Sequence, residues 1–370
     1  MDKQFIGAAG TLIGLTIGAG VLGIPYVVAK AGFLTGIVMI VLLGLVVLLM
    51  NLYVGEIALR TKGIHQLPGY IGKYLGKKAK VLMTVSFAVL AYGALSAYLL
   101  AEGQVWGAIF GIQPIYPMLI FFVIMAVAIW KGLQLIEWLE VCLNCFVIGV
   151  MLLIVLLSVH AIDVSNFTGF DPTKVLVPYG VVLFAFAGSA AIPDLIVELR
   201  KNRRLLKKAI LVGTLIPLVL YLLFATAIVG VTGSGTTEVA TLGLGAVLGP
   251  MTLVLGNLFA AFVMLTTFML LGLALIWMYQ YDYRMKKIVA WALALSVPLF
   301  VVFSQVVGFI EILTITGAFA GGIEGILIVL AHRAAQKKSE RKPEYTVKSS
   351  FLLSGVLILL YVIGMLYVFF

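Results

Sequence analysis

Long apolar segments follow one another along the chain, separated only by short polar stretches. A helix needs about 20 apolar residues to cross a bilayer core of roughly 30 Å. The segments are continuous, whereas strands of a membrane barrel alternate between apolar and polar residues, so helices are favoured. We therefore predict an all-α integral membrane protein, one domain over residues 1–370, with eleven transmembrane helices. The predicted segments lie at about 4–29, 33–59, 81–109, 115–130, 137–160, 174–199, 205–231, 247–278, 287–304, 306–331 and 349–369.

Composition and charge exclude the usual soluble classes. Hydrophobic residues make up 63% of the chain and charged residues 11%, whereas roughly a quarter of a soluble domain is charged. If the N-terminus is inside and the segments alternate, all of the 25 Lys and Arg residues except Lys30 and Lys174 fall in inner loops. This positive-inside pattern predicts a cell membrane protein with a cytoplasmic N-terminus and an extracytoplasmic C-terminus. It also accounts for the net charge of +10 without a nucleic-acid partner.

Two segments contain small residues and proline in mid-membrane. The first reads GAGVLGIP over residues 18–25, and the sixth reads AGSAAIP over residues 187–193. Glycine lowers helix propensity and proline removes a backbone hydrogen bond. Unpaired backbone at that depth is tolerated only where it lines a cavity or is buried in protein. A helix-packing ridge formed by Gly10, Gly14 and Gly18 is the alternative explanation of the first stretch.

The positions of the two interruptions favour a binding site. Gly18 and Gly188 are 170 residues apart and occupy corresponding places in two halves of five segments each. Because five is odd, the second half has the opposite orientation in the membrane. We predict an inverted repeat, with repeat one at 4–160, repeat two at 174–332 and an extra helix at 349–369. Paired interruptions in inverted halves indicate the binding site of a transporter.

The ends of the interrupted helices predict the kind of ligand. A half-helix that begins near Val21 presents free N–H groups and a positive dipole end. The half-helix that ends near Ala187 presents free carbonyls and a negative end. No charged side chain occurs over residues 7–28 or 175–192. These features favour a zwitterion, with a carboxylate at one end and an ammonium at the other.

The same stretches resemble a known family. GTLIGLTIGAGVLGIPYVVAKAGF (residues 10–33) resembles the first helix of the amino acid/auxin permease family, a branch of the amino acid–polyamine–organocation superfamily. LFAFAGSAAIPDLIVEL (183–199) and KKAILVGTLIPLVLYLLF (207–224) resemble its sixth and seventh helices. The resemblance implies a LeuT-type fold and secondary active transport of amino acids by alternating access.

The resemblance also implies a set of substrate-binding residues. It places the substrate carboxylate on backbone amides of the first interruption and the ammonium on carbonyls of the second. The small residues there leave room for a neutral aliphatic or aromatic side chain. An aromatic residue of segment three is expected beside the site, with Tyr92 as the first choice and Tyr98 as the alternative. The implied residues are Gly18, Ala19, Gly20, Tyr92, Ala185, Phe186, Gly188 and Ser189.

Sodium is the coupling ion that the resemblance favours, and no other cofactor is expected. Sodium-coupled relatives hold Na⁺ between carbonyls of helix one and hydroxyls of helix eight. The matching groups are the carbonyls of Gly14 and Ile17 with the hydroxyls of Thr266 and Thr267. Proton coupling is the alternative, although segment five lacks the lysine of some proton-driven relatives. Four carboxylates within or near the membrane keep the alternative open: Glu56, Glu102, Glu311 and Glu324.

Two other functional classes fit the sequence less well. A sensor with the transporter fold would need a signalling region, and the longest polar stretch, 333–348, is too short for a domain. An enzyme would need a nucleophile–base pair or a metal-ligand cluster, and no loop contains one. The sequence therefore predicts a symporter of neutral amino acids that is coupled to Na⁺ or H⁺. Its expected partners are the amino acid substrate, the coupling ion and the lipid bilayer. The sequence does not determine the oligomeric state.

Overall fold

The computed structural model describes residues 3–131 and 136–368, which are helical almost throughout and form no strand. The helices of the first half are α1 (Lys3–Thr16), α2 (Gly20–Ala31), α3 (Phe33–Arg60), α4 (Leu67–Leu75), α5 (Lys77–Phe110), α6 (Ile115–Lys131) and α7 (Ile136–Ser158). Those of the second half are α8 (Tyr179–Ala185), α9 (Ile192–Glu198), α10 (Leu206–Thr232), α11 (Ala240–Leu248), α12 (Pro250–Trp277), α13 (Lys287–Ser304) and α14 (Phe309–Lys337). The last helix is α15 (Phe351–Tyr367).

The all-α prediction is confirmed, and a helix lies in each predicted segment. Seven helical stretches within the described residues are long and apolar enough to cross a membrane, with α8 and α9 counted together. The pair α1 and α2 makes an eighth, bent by 55° at its break. Three further apolar helices, Ile115–Lys131, Cys145–Ala161 and Phe351–Tyr367, are shorter. The count of eleven spans therefore stays a prediction.

Two short helices, α4 and α11, were not expected from the sequence. Each has nine residues and lies directly before a long helix of the bundle. Each ends at a glycine with a positive φ, 90° at Gly76 and 95° at Gly249. Glycine adopts this conformation without steric cost, which allows the sharp turn into α5 and α12. Each half of the chain therefore contains a short helix that ends at a glycine before a long helix, a similarity that the apolar segments alone do not reveal.

Small residues let α8 approach α14 in the middle of the bundle. A Cβ at Gly180 would lie 2.8 Å from the Thr314 Cα, so the two backbones pass in direct contact there. The ring of Tyr361, on α15, covers Gly325 on the other side of α14. The long helix α14 thus lies between the second interrupted segment and the extra C-terminal helix. This packing brings α15 to the edge of a cavity described below.

The basic loops meet at one end of the bundle, formed by residues 61–66, 199–205 and 338–350. Lys73 pairs with Glu340 at 2.8 Å, and the Glu340 amide donates to the Arg60 carbonyl. The Lys73 ammonium, helped by the Lys62 amide, lowers the pKa of the Glu340 carboxyl below its usual value. At the opposite end, the Phe33 amide donates to the Thr168 hydroxyl at 2.8 Å. The loops are grouped as the alternating topology requires, while the side that faces the cytoplasm stays a prediction.

Candidate substrate and ion site

The first interruption separates α1 from α2. The helix α1 ends at Thr16, where the Gly18 amide turns back to the Thr16 carbonyl at 3.0 Å. The next helix begins at Gly20, and the Val21 and Leu22 amides of its first turn bond to the Gly18 and Ala19 carbonyls at 3.3 and 3.0 Å. A Cβ at Gly10 would meet nothing within 4 Å, so Gly10 takes no part in the packing ridge considered above. The interruption is thus a break in the helix rather than a smooth packing surface.

The second interruption separates α8 from α9. The helix α8 ends at Ala185, and α9 begins at Ile192 after one tight turn over Ser189–Ala191. Within the break, the Gly188 amide bonds to the Phe186 carbonyl at 2.7 Å rather than to a carbonyl four residues back. The regular hydrogen-bond pattern of α8 therefore ends within the break. Both breaks fall where glycine and proline predicted them.

The two breaks contact each other. A Cβ at Gly20 would lie 2.6 Å from the Ala185 Cα and 2.8 Å from the Ala185 Cβ. Only glycine lets the start of α2 approach the end of α8 this closely. The N-terminal, positive end of α2 thus lies beside the C-terminal, negative end of α8.

A first cavity lies beside this contact. Its volume is about 40 Å³, enough for water and smaller than an amino acid. Four residues predicted for the substrate or the ion line it: Gly18, Gly20, Ala185 and Thr267. Thr16 and the aromatic rings of Phe87, Tyr98 and Phe184 complete much of the wall. An amino acid could enter only after these walls move apart.

A second cavity of about 40 Å³ borders the α8–α9 break, and Leu90 and Ala187 line both cavities. Three predicted substrate residues line it: Phe186, Gly188 and Ser189. The Ser189 hydroxyl donates to the Glu324 carboxylate of α14. Tyr361 of α15 lines the same space, so the extra helix contributes to this site. The predicted substrate residues are therefore divided between two cavities, while Ala19, which is fully buried, and Tyr92 line neither.

The structure places Tyr98, rather than Tyr92, at the breaks. The Tyr92 hydroxyl contacts the Tyr279 hydroxyl at 2.5 Å and the Leu293 carbonyl at 3.3 Å, beside α12 and α13. The Tyr98 hydroxyl would lie 3.2 Å from a Cβ on Gly18. Six positions on an α-helix rotate a side chain by about 240°, so the two tyrosines of α5 face different neighbours.

Of the two hydroxyls proposed for sodium, Thr267 lies at the first break. Its Oγ1 would be 3.7 Å from a Cβ on Gly18, and it donates to the Val263 carbonyl at 2.8 Å. Because the proton is used in that bond, the oxygen lone pairs remain available to a cation. Thr266 donates to carbonyls of its own helix and does not line the cavity. Gly14 and Ile17 are buried near the end of α1.

The four carboxylates have different surroundings. Glu56 is fully buried and accepts hydrogen bonds from the Arg60 side chain, from the His332 ring at 2.9 Å and from the Val347 amide at 2.6 Å. Glu311 accepts from the Gly308 amide at the start of α14. Glu102 is buried within α5 and lines neither cavity. Glu324 is therefore the carboxylate of this set that contacts a break.

One residue at the breaks was missed by sequence reasoning. Tyr221 of α10 is fully buried, and its hydroxyl lies 2.8 Å from the Thr16 carbonyl and 2.9 Å from the Ala185 carbonyl. It therefore reaches the ends of both half-helices, α1 and α8. A single tyrosine in an apolar helix carries no signal that would have identified it.

Family membership can now be stated. Residues 1–368 match the tryptophan/tyrosine permease family. The chain belongs to that family of amino acid transporters. Membership confirms the predictions of a multi-pass membrane transporter and of a protein that is not an enzyme. The amino acid/auxin permease family, named from the sequence, is not the family matched, and that finer resemblance stays a prediction.

Two known transporters are similar to this permease. Glutamine transporter 2 of Aliivibrio fischeri (strain ATCC 700601 / ES114) is 23% identical over 239 residues. The match spans 62% of the permease and 62% of that relative's length. Mhp1, a nucleobase-cation-symport-1 family transporter solved in a closed conformation with bromovinylhydantoin bound, superposes with a TM-score of 0.69. Its identity is 13%, and the match covers 98% of the permease and 91% of Mhp1, which shows a shared fold.

Proposed function

We propose that the permease is a secondary active transporter of neutral amino acids that works by alternating access. Its architecture is the LeuT-type inverted repeat, with repeats at 4–160 and 174–332 and an extra helix at 349–369. The similarity to Mhp1 over nearly the whole chain supports this architecture. The matching pair of α4 and α11, each ending at a glycine with φ near 90°, supports the repeat independently.

The contact between Gly20 and Ala185 carries the substrate proposal. The positive end of α2 and the negative end of α8 lie side by side, so they are complementary to a carboxylate and an ammonium on neighbouring atoms. The carboxylate binds the amides of Ala19 and Gly20. The ammonium binds the carbonyls of Ala185, Phe186 and Gly188. Both groups are recognised by backbone, which leaves the side chain of the substrate to select among amino acids.

The surroundings favour a neutral side chain. No Lys, Arg, Asp or Glu is among the residues that line the first cavity. The rings of Phe87, Tyr98 and Phe184 there suit an apolar or aromatic group. The names of the family and of the curated relative point to tryptophan, tyrosine and glutamine, whose side chains are all neutral. We propose these three as the first substrates to test.

Sodium is the proposed coupling ion, bound by carbonyls of Gly14 and Ile17 and by hydroxyls of Thr266 and Thr267. The support is the position of Thr267, which is buried beside Gly18 with free lone pairs. Thr266 is the weakest member, because it lies outside the cavity.

A second candidate, proton coupling, is favoured by one specific observation. Glu324 accepts a hydrogen bond from Ser189, which lies inside the α8–α9 break. Gain or loss of a proton at Glu324 would change a contact of the interrupted helix directly. Intramembrane carboxylates in such positions are commonly functional.

The proposed topology has a cytoplasmic N-terminus and an extracytoplasmic C-terminus. The support is the basic end of the bundle, since cytoplasmic loops of membrane proteins are rich in Lys and Arg.

Uptake into proteoliposomes tests the proposal. Labelled tryptophan, tyrosine and glutamine are offered under a sodium gradient alone and under a pH gradient alone, with empty liposomes as control. Accumulation of at least one of them under the sodium gradient alone is the expected result. Accumulation under the pH gradient alone would transfer the coupling role to Glu324. Folded protein that accumulates none of them under either gradient would contradict the transport proposal.

A further inference from the structure

We infer that Tyr221 is a positioning residue, which joins the ends of the two interrupted helices through its hydroxyl. Thr16 is the last residue of α1 and Ala185 is the last residue of α8. The Tyr221 hydroxyl lies within hydrogen-bond distance of both carbonyls, at 2.8 Å and 2.9 Å. The inference rests on the proposed function, because it assigns Tyr221 a role in shaping that substrate site.

The chemistry of helix ends explains why a donor is required there. The last carbonyls of a helix have no partner in their own helix, and a buried carbonyl without a donor is costly. The Thr16 carbonyl also accepts from the Gly18 amide of the break at 3.0 Å, so Tyr221 is its second donor. Tyr221 carries one hydroxyl proton, which two acceptors share. A shift of either helix end therefore changes the hydrogen bond of the other. The geometry of the α1 break and that of the α8 break become dependent on each other.

The ring of Tyr221 is held in place by its surroundings. The side chain is fully buried, and its ring packs against that of Phe186 with centroids 5.0 Å apart. Phe186 directly follows Ala185 and lies within the break. The hydroxyl can therefore not move away from the carbonyls without disturbing a second contact at the same helix end.

The consequence for substrate binding follows from the close approach at Gly20. The start of α2 touches Ala185 so closely that a Cβ would lie 2.6 Å from the Ala185 Cα. Tyr221 fixes the position of Ala185, and thereby the distance between the amides and the carbonyls that bind the zwitterion. Tyr221 itself lines neither cavity, so it acts through the helix ends rather than by touching substrate.

The test compares substrate exchange by Tyr221→Phe and wild-type protein in proteoliposomes. Loss of the hydroxyl should raise KM about tenfold, the factor that corresponds to about 1.4 kcal/mol of binding free energy. The maximal exchange rate should change much less, because binding is weakened before the transport step. Tyr179→Phe is the matched control. It removes a buried hydroxyl of α8 that has no hydrogen-bond partner in the described part of the chain, so it should retain the wild-type KM.

A rescue variant separates positioning from packing. 4-Aminophenylalanine at position 221 keeps an N–H donor near the two carbonyls and should restore KM to within about twofold of wild type. If the phenylalanine variant does not fold, 4-fluorophenylalanine at the same position removes the donor and keeps a polar substituent, and KM should again rise.

The outcomes distinguish this inference from the proposed function. A wild-type KM in folded Tyr221→Phe or 4-fluorophenylalanine protein would overturn the role of Tyr221 and leave amino acid transport intact. An equal rise in Tyr179→Phe would overturn it as well, since the effect would then be general to buried hydroxyls. If folded wild-type protein exchanges no amino acid, the proposed function fails, and this inference fails with it.

Discussion

Gly20, the first residue of α2, packs against Ala185, the last residue of α8, with no space for a side chain between them. This contact joins the two interrupted helices at the ends that carry opposite partial charges. The function proposed for the permease depends on it, because a zwitterion needs both ends within the length of one amino acid backbone.

Gly20→Ala is expected to impair transport strongly. Its methyl group would lie 2.6 Å from the Ala185 Cα, and backbone yields less readily than a flexible side chain. Overpacking of this kind costs about 1–3 kcal/mol of stability. Because relief of the clash would separate the two helix ends that bind the substrate, affinity should also fall about tenfold or more. Gly10→Ala on α1 is the control, since its methyl group would meet nothing within 4 Å. Uptake and melting temperature are measured for both variants; unchanged uptake in folded Gly20→Ala protein would disprove the close contact.

The two adjacent threonines of α12 should differ in their effect on sodium. Thr267 is buried at the first break, whereas Thr266 lies outside the cavity. Thr267→Ala should raise the sodium concentration for half-maximal uptake about tenfold, as expected for an interaction worth about 1.4 kcal/mol. Thr266→Ala should have a smaller effect. Sodium activation that is the same in both variants and in wild type would argue against a sodium site at this position.

Glu324→Gln tests the competing coupling ion. Glutamine keeps the size of the side chain and a hydrogen-bond acceptor for Ser189, but it does not titrate. If a proton drives transport through Glu324, accumulation under a pH gradient should be lost while exchange of substrate without a gradient continues. Under the sodium proposal, accumulation driven by a sodium gradient and exchange should both persist in the variant. The pair of measurements, gradient-driven uptake and exchange, is needed in the same preparation.

Tyr98 and Tyr92 provide a second matched comparison. The hydroxyl of Tyr98 faces the first break, whereas that of Tyr92 contacts Tyr279 beside α12 and α13. Tyr98→Phe should raise KM about three- to tenfold, because it removes a hydroxyl that is placed to hydrogen-bond the proposed substrate. Tyr92→Phe should leave KM near its wild-type value. The opposite order would mean that α5 presents a different face to the substrate.

Glu56 is expected to matter for stability rather than for substrate affinity. It is fully buried, and its carboxylate accepts hydrogen bonds from Arg60, His332 and Val347. Removing one partner of a buried pair typically costs about 3–5 kcal/mol, so Glu56→Ala should lower the melting temperature in detergent markedly. Glu311→Gln, at the exposed start of α14, should have little effect. A wild-type melting temperature for Glu56→Ala would show that these hydrogen bonds contribute little.

The breaks themselves were predictable from the sequence, and their surroundings were not. Glycine and proline identified both interruptions, because these residues change the backbone wherever they occur. The choice between Tyr92 and Tyr98 depended on the rotation of α5 about its axis. That helix is apolar on every side, so no amphipathic pattern fixed the rotation. Tyr221 could not be found at all, since its role comes from its position opposite two helix ends that are distant in sequence.

The short helices α4 and α11 show a different limit. The search for apolar segments does not predict them, because nine residues are too few for a membrane span. The sequence does contain a matching feature in the two halves: a Leu-Gly dipeptide precedes each long helix, with the glycine at Gly76 and at Gly249. A glycine at the end of a helix is common, so either one alone would not indicate a repeat. The correspondence becomes informative only once both halves are compared.

Competition for uptake of labelled tryptophan tests the central claim most directly. Tryptamine lacks the carboxylate, and indole-3-propionate lacks the ammonium, while both keep the side chain. If the paired helix ends bind a zwitterion, neither compound should compete at concentrations where unlabelled tryptophan blocks uptake completely, and a mixture of the two should not compete either. If either compound competes as well as tryptophan, one of the two helix ends makes no contribution to recognition, and the account of the site is contradicted.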